Sequence, residues 1–145
     1  MSKTYNQQEI TAILPHRPPM LLIEMGELDG DTSTCRYTVR GDEFFLQGHF
    51  PGNPVVPGVI LCEMMAQASC LLVEKDGGTF TPYFTGMDKV KFRRKVLPGD
   101  CITLKSTLQR HKGVFYFVKC AAYVGDVLCC SGEISFALIQ DEELK

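Results

Sequence analysis

Val59–Val73 reads VILCEMMAQASCLLV and contains a single charge, Glu63. A helix that is apolar on every side is a buried helix. A lone carboxylate inside one is costly unless it is paired, protonated or used. Immediately upstream lies GHFPGNPVVPG, Gly48–Gly58, which carries His49 fourteen residues before Glu63. Pro57 suits the first turn of the helix, because the N–H it lacks is not needed there. A histidine and a carboxylic acid in an apolar setting are the two partners of a general acid/base pair.

Outward from this centre the pattern is strand and turn. Gln7–Leu14 reads as a short amphipathic helix ended by Pro15, and HRPP marks a turn. Met20–Glu24 (MLLIE) reads as a buried strand, followed by a turn at Asp29-Gly30-Asp31. Cys35, Tyr37 and Val39 alternate with Arg36, Thr38 and Arg40, the pattern of a half-buried strand. The apolar helix is expected to run to about Lys75, where Gly77-Gly78 stops it. Tyr83–Val96 reads as one long, uneven strand closed by Pro98-Gly99-Asp100. Cys101–His111 puts Ile102, Leu104, Ser106 and Leu108 on one face, and Lys112-Gly113 and Gly125-Asp126 are hairpin turns. Asp141–Lys145 reads as a solvated tail. One buried helix with antiparallel strands on either side predicts an α+β domain over residues 1–145, a curved sheet wrapped around the helix. Such a sheet keeps two edges, which invite pairing with another copy.

The 145 residues fit one domain of common size. Fifteen Lys and Arg against seventeen Asp and Glu give a net charge of −2, no general argument for nucleic acid or a membrane surface. The polar start, MSKTYNQQEITAIL, lacks the apolar core of a signal segment. Seven cysteines without a metal-type CxxC pair read as free, buried thiols of a reducing cytoplasm. No spacing suggests a metal, and no Gly-rich phosphate loop suggests a nucleotide.

LPHRPPMLLIE (Leu14–Glu24), GHFPGNPVVPGVILCEMMAQA (Gly48–Ala68) and KVKFRRKVLPGD (Lys89–Asp100) together resemble the β-hydroxyacyl-ACP dehydratases of the FabZ type, which have the hot-dog fold. The resemblance implies a hydro-lyase of fatty-acid biosynthesis that converts (3R)-hydroxyacyl-ACP to trans-2-enoyl-ACP. It needs no cofactor beyond the phosphopantetheine arm that carries the substrate. The resemblance makes His49 the catalytic histidine and Glu63 the catalytic carboxylate, joined across the interface of a homodimer, with a trimer of dimers as the expected assembly. FabA-type dehydratase/isomerases carry aspartate at the Glu63 position, so glutamate favours the FabZ type. Isomerisation of the enoyl product stays open, as does a hot-dog thioesterase. A non-catalytic acyl-binding subunit would predict loss of His49 or Glu63, and both are present.

Dehydration needs a base for the proton alpha to the thioester, an acid for the departing hydroxyl, and donors for the developing enolate oxygen. Gly58, at the helix start, offers its amide to the thioester carbonyl or serves only the turn. Phe50 packs against the bound acyl group or the core. Gln67, one turn beyond Glu63, orients the carboxylate or makes a purely structural hydrogen bond. His16 reads as structural or as part of the substrate rim, with structure favoured. Tyr83 matches a position where relatives place an aromatic gate over the acyl tunnel; packing is its alternative role. Lys89, Lys91, Arg93, Arg94 and Lys95 form a basic cluster suited to acidic acyl carrier protein or to a solvated strand face. No aromatic interleaving supports a nucleic-acid partner.

Overall fold

The computed structural model describes residues 2–76 and 80–140. Strand β1 (Ser2–Asn6) leads into α1 (Gln7–Thr11), which is fixed by a capping box. The Glu9 amide donates to Asn6 Oδ1 at 2.8 Å, and the Asn6 amide donates to Glu9 Oε1 at 3.0 Å. The helix expected to reach Leu14 therefore ends earlier, at Thr11. Strands β2 (Met25–Asp29) and β3 (Thr32–Thr38) pair across the predicted turn. The alternation in β3 is as read: Cys35 and Tyr37 face the core, and buried Ser33 extends that face.

Met20–Glu24 is not a strand. Leu21, Leu22 and Ile23 are buried as a strand would bury them, but their backbone does not pair in a ladder. The Leu22 amide instead donates to the Gln67 side chain at 2.9 Å, and the Met20 carbonyl accepts from the same side chain at 2.8 Å. An apolar run alone does not separate these two outcomes.

Helix α2 (Gly58–Ser69) is the buried helix. Beyond it the chain tightens into a 3₁₀ segment, Cys70–Asp76, so the helical path does reach Lys75, though not as α-helix. The Gly77-Gly78 stop and the Asp141–Lys145 tail lie outside the described residues. Strands β4 (Phe80–Phe92), β5 (Cys101–Lys112), β6 (Phe115–Val124) and β7 (Val127–Gln140) complete the sheet. β4 ends at Phe92, short of the expected Val96, and is uneven as expected, with register shifts at Phe84/Gly86 and Asp88/Lys91.

All seven strands form one antiparallel sheet in the order β1-β2-β3-β5-β6-β7-β4. It wraps α2, which is the expected α+β hot-dog arrangement. Leu61, Met64, Met65 and Ala68 of the helix share one core with Tyr37, Ile102, Leu104, Val118 and Ile134 of the sheet. Fully burying a Leu or Met side chain contributes about 1.5–3 kcal/mol, so a few such anchors outweigh the cost of one carboxylate on the helix. The two edges are β1 and β4, and β4 exposes Tyr83, Phe84, Met87 and Phe92. The seven cysteines are unpaired, and all but Cys101 are buried. No helix among the described residues is long and apolar enough to cross a membrane.

Candidate active site

His49 lies in the irregular segment between the short 3₁₀ turn at Phe44–Leu46 and α2. Its backbone is held at both ends: the His49 amide donates to Leu46 O at 3.1 Å, and the Val55 amide donates to His49 O at 2.9 Å. Gly48 and Gly52 turn the segment at φ 83° and 73°, where a side chain would be strained. The His49 ring contacts the Val55 carbonyl through Nδ1 at 2.9 Å. A carbonyl only accepts, so Nδ1 carries a proton, and in the neutral ring Nε2 is the nitrogen with the free lone pair. Phe50 is exposed and stacks on the His49 ring with centroids 4.2 Å apart.

His49 lines a groove of about 530 Å³ together with Val55, Gly58, Phe92 and the three cations Arg93, Arg94 and Lys95. Gly58 opens α2, whose first amides have no carbonyl of their own helix to bond. A Cβ on Gly58 would meet the Phe92 ring at 2.7 Å, so this close approach requires glycine. Arg93 and Arg94 are both exposed, as are Lys91 and Phe92 before them, and both of their amides donate to the Cys129 carbonyl beyond the end of β4. Lys89 and Lys91 lie further back on β4, and Lys89 stands 3.8 Å from Glu133.

Glu63 lies in a second, tighter cavity of about 50 Å³, lined by His16, Ala66, Gln67, Cys70, Tyr83, Phe84 and Phe136 among others. That volume has room for a few waters. Gln67 is buried and fully used: Nε2 donates to Glu63 Oε2 at 2.9 Å and to the Met20 carbonyl at 2.8 Å, while Oε1 accepts from the Leu22 amide. Gln67 thus bonds both to the Glu63 carboxylate and to the Met20–Leu22 backbone. His16 reaches the same carboxylate, with Nε2 3.3 Å from Glu63 Oε2. The position of His16 beside Glu63 is compatible with either role read from the sequence, structural or substrate rim. Tyr83, half-exposed, stands at this cavity. His111 is exposed and lines neither pocket, with Nε2 2.7 Å from the Gly113 carbonyl.

The acid/base candidates His49 and Glu63 therefore line separate pockets of one chain. Phe92, Phe136 and Cys70 were not singled out in the sequence, where each reads as ordinary core; only their tertiary position marks them. Burial pushes the Cys35 thiol up to about 12 and raises Cys70 as well, so neither offers a thiolate nucleophile. Among the described residues no group of three or more His, Cys, Asp or Glu is placed to hold a metal ion.

The family described as ApeI-like, ApeI dehydratase, matches residues 26–133. The 3-hydroxyacyl-[acyl-carrier-protein] dehydratase FabZ of Clostridium perfringens is 43% identical over 136 residues, covering 92% of this chain and 98% of that protein. The FabZ of Oenococcus oeni is 42% identical over 135 residues, covering 90% and 96%. Among solved structures, the dehydratase heterocomplex ApeI:P from Xenorhabdus doucetiae superposes with a TM-score of 0.81 at 21% identity, covering 93% of each chain. The fluoroacetyl-CoA thioesterase FlK superposes at 0.69 with 17% identity, covering 81% and 91%. At these identities the structural likenesses establish the shared fold, and the sequence likenesses establish the family. The chain belongs to the FabZ family of 3-hydroxyacyl-[acyl-carrier-protein] dehydratases.

Proposed function

We propose that this chain dehydrates β-hydroxyacyl groups carried on acyl carrier protein, and that each active site is built by two copies of the chain. His49 and Gly58 come from one copy, and Glu63 with Gln67 from the other. The supporting observation is the placement of the two pockets along the edge strand β4. Pro82, Tyr83 and Phe84, near its start, line the Glu63 cavity; Phe92, at its end, lines the His49 groove. Antiparallel pairing of β4 with the β4 of a second copy, about a two-fold axis, sets the start of one strand beside the end of the other. It covers the exposed Tyr83, Phe84, Met87 and Phe92, and it joins each His49 groove to a Glu63 cavity. A trimer of such dimers is the fuller assembly.

In the joined site the bare Nε2 of His49 takes the proton from the carbon alpha to the thioester. The C–H electron pair becomes the new C=C bond. The C–O bond to the β-hydroxyl breaks, and the hydroxyl leaves as water with the proton of a protonated Glu63. The proton then returns from His49 to Glu63 through solvent. Negative charge builds on the thioester oxygen during this step, and the Gly58 amide at the helix N-terminus stabilises it. Tyr83 gates the acyl path, and Phe50 flanks it. Arg93, Arg94 and Lys95 at the mouth of the groove, with Lys89 and Lys91 behind them, dock the acidic carrier protein. The substrate arrives on the carrier's phosphopantetheine arm, and no further cofactor is called for. The reaction belongs to the cytoplasm.

The test is to incubate the protein with β-hydroxyacyl carrier proteins of several chain lengths and identify products by mass. A trans-2-enoyl thioester supports dehydration, a shifted double bond adds isomerisation, and free carrier thiol means a thioesterase instead. Mixing inactive His49→Ala with inactive Glu63→Gln tests the shared site. Each heterodimer regains one intact site, so random exchange restores about a quarter of wild-type turnover. No recovery after demonstrated exchange would rule out the two-copy site.

A further inference from the structure

We propose that His16 is a positioning residue for Glu63: with Gln67 it occupies the carboxylate oxygen Oε2 and so leaves Oε1 as the oxygen that meets the substrate. The proposal rests on the dehydratase reading above. Two side-chain nitrogens converge on one oxygen, Gln67 Nε2 at 2.9 Å and His16 Nε2 at 3.3 Å. No donor among the described residues reaches Oε1. The carboxyl group is therefore asymmetric before substrate arrives, with one oxygen held and the other open. A general acid must present its proton in one direction, and a carboxyl group free to rotate spreads it over several.

The segment carrying His16 is itself fixed. Arg17 Nη1 donates to the Leu14 and His16 carbonyls at 2.9 and 2.7 Å, and Nη2 donates to the Thr11 carbonyl at 3.1 Å. The guanidinium thus ties the turn after α1 to the histidine backbone. The ring is mostly buried, and its Nδ1 has no hydrogen-bonding partner. This selects the tautomer. A proton on Nδ1, in the neutral ring or in the imidazolium, would bury an unpaired N–H. A proton on Nε2 alone converts that atom into a donor to Glu63 and leaves Nδ1 as a bare lone pair. His16 is thus a neutral donor, unlike His49, whose protonated nitrogen is Nδ1.

The experiment has two arms. Nitrogen NMR of the histidine-labelled native protein follows only three imidazoles, and the His16→Gln spectrum identifies the one that disappears. A neutral ring protonated at Nε2 is expected; a ring protonated at Nδ1, or an imidazolium near neutral pH, overturns the proposal. In the kinetic arm, His16→Leu lowers kcat by about tenfold with KM for the carrier substrate unchanged. His16→Gln, whose amide also donates, restores most of that loss. In a Glu63→Gln background, His16→Leu adds no further loss, because the residue acts through Glu63. Equal losses in both backgrounds, or no rescue by glutamine in a folded protein, would overturn it. If the wild-type protein forms no enoyl product, the dehydratase reading fails, and the NMR arm still decides the His16 contact.

Discussion

Glu43 and Glu63 are two carboxylates set among apolar residues, and they are wired differently. Glu43 is buried, and both of its oxygens are satisfied: Oε2 accepts from the Tyr37 hydroxyl at 2.6 Å and the Arg40 amide at 2.8 Å, and Oε1 accepts from the Gly41 amide at 2.8 Å. Burial alone would raise its pKa, but the hydrogen bonds from Tyr37, Arg40 and Gly41 outweigh burial and hold the carboxyl below its ordinary value. Glu63 is about one-fifth exposed, accepts from Gln67 on Oε2 with His16 Nε2 3.3 Å from the same oxygen, and among the described residues has no donor on Oε1. A carboxylate saturated on both sides organises a turn. One saturated on a single side is held in place and still able to react.

The largest expected effect separates the two. Glu63→Gln should lower dehydratase kcat by about 10²–10⁴-fold while thermal unfolding stays near wild type. Near-normal turnover in the folded variant would remove Glu63 from the chemistry. Glu43→Gln should do the reverse. Its added amide protons face the Arg40 and Gly41 amides or the Tyr37 hydroxyl, so stability falls by about 1–3 kcal/mol while turnover per folded molecule stays unchanged. Denaturant titration and active-site counting measure the two outcomes. The Glu43 loss should also depend on pH. A carboxylate with a depressed folded-state pKa stabilises above its unfolded value of about 4.3, and the contribution is lost as pH falls through the lower folded value. The stability gap between wild type and Glu43→Gln should therefore narrow below about pH 4. A gap independent of pH would mean that the ionised form is not what the turn holds.

Gln67 links the two kinds of role, because it serves both the fold and Glu63. Gln67→Leu leaves the Leu22 amide and the Met20 carbonyl buried without partners, a cost of about 1–3 kcal/mol. It also removes the Gln67 donor from Glu63 Oε2. Both stability and kcat should fall, whereas a purely structural glutamine would lower stability alone.

The helix, the alternating strands and the His49–Glu63 candidates were legible because each is a local pattern: apolar run, period two, Gly/Pro-framed histidine. Met20–Glu24 misled because burial and strand pairing give the same apolar run, and here a glutamine far along the chain takes the backbone bonds. His16 beside Glu63 was not legible either. The two are far apart in sequence, and only the wrapping of the N-terminal segment against α2 brings them to 3.3 Å. Glu43 went unnoticed because a charge after Arg40-Gly41-Asp42 reads as an exposed turn. Its burial depends on the Tyr37 hydroxyl beneath it.

The smallest effect concerns the rim of the His49 groove. Neighbouring residues of a strand face opposite sides. Arg93 and Arg94 escape this rule, both exposed beside the His49 groove where β4 has ended. Reversing both to glutamate should lower kcat/KM for acyl carrier protein substrates by about tenfold at low salt and leave a short pantetheine or N-acetylcysteamine thioester nearly unaffected. The small thioester carries no acidic protein surface, so it reports the chemistry without the docking. Rim charges act mainly on association, and their contribution shrinks as ions screen it. The defect should therefore fade as ionic strength rises, while a Glu63→Gln defect persists at every salt concentration. Equal loss on both substrates, insensitive to salt, would place the arginines with the fold of the His49 groove rather than with carrier recognition.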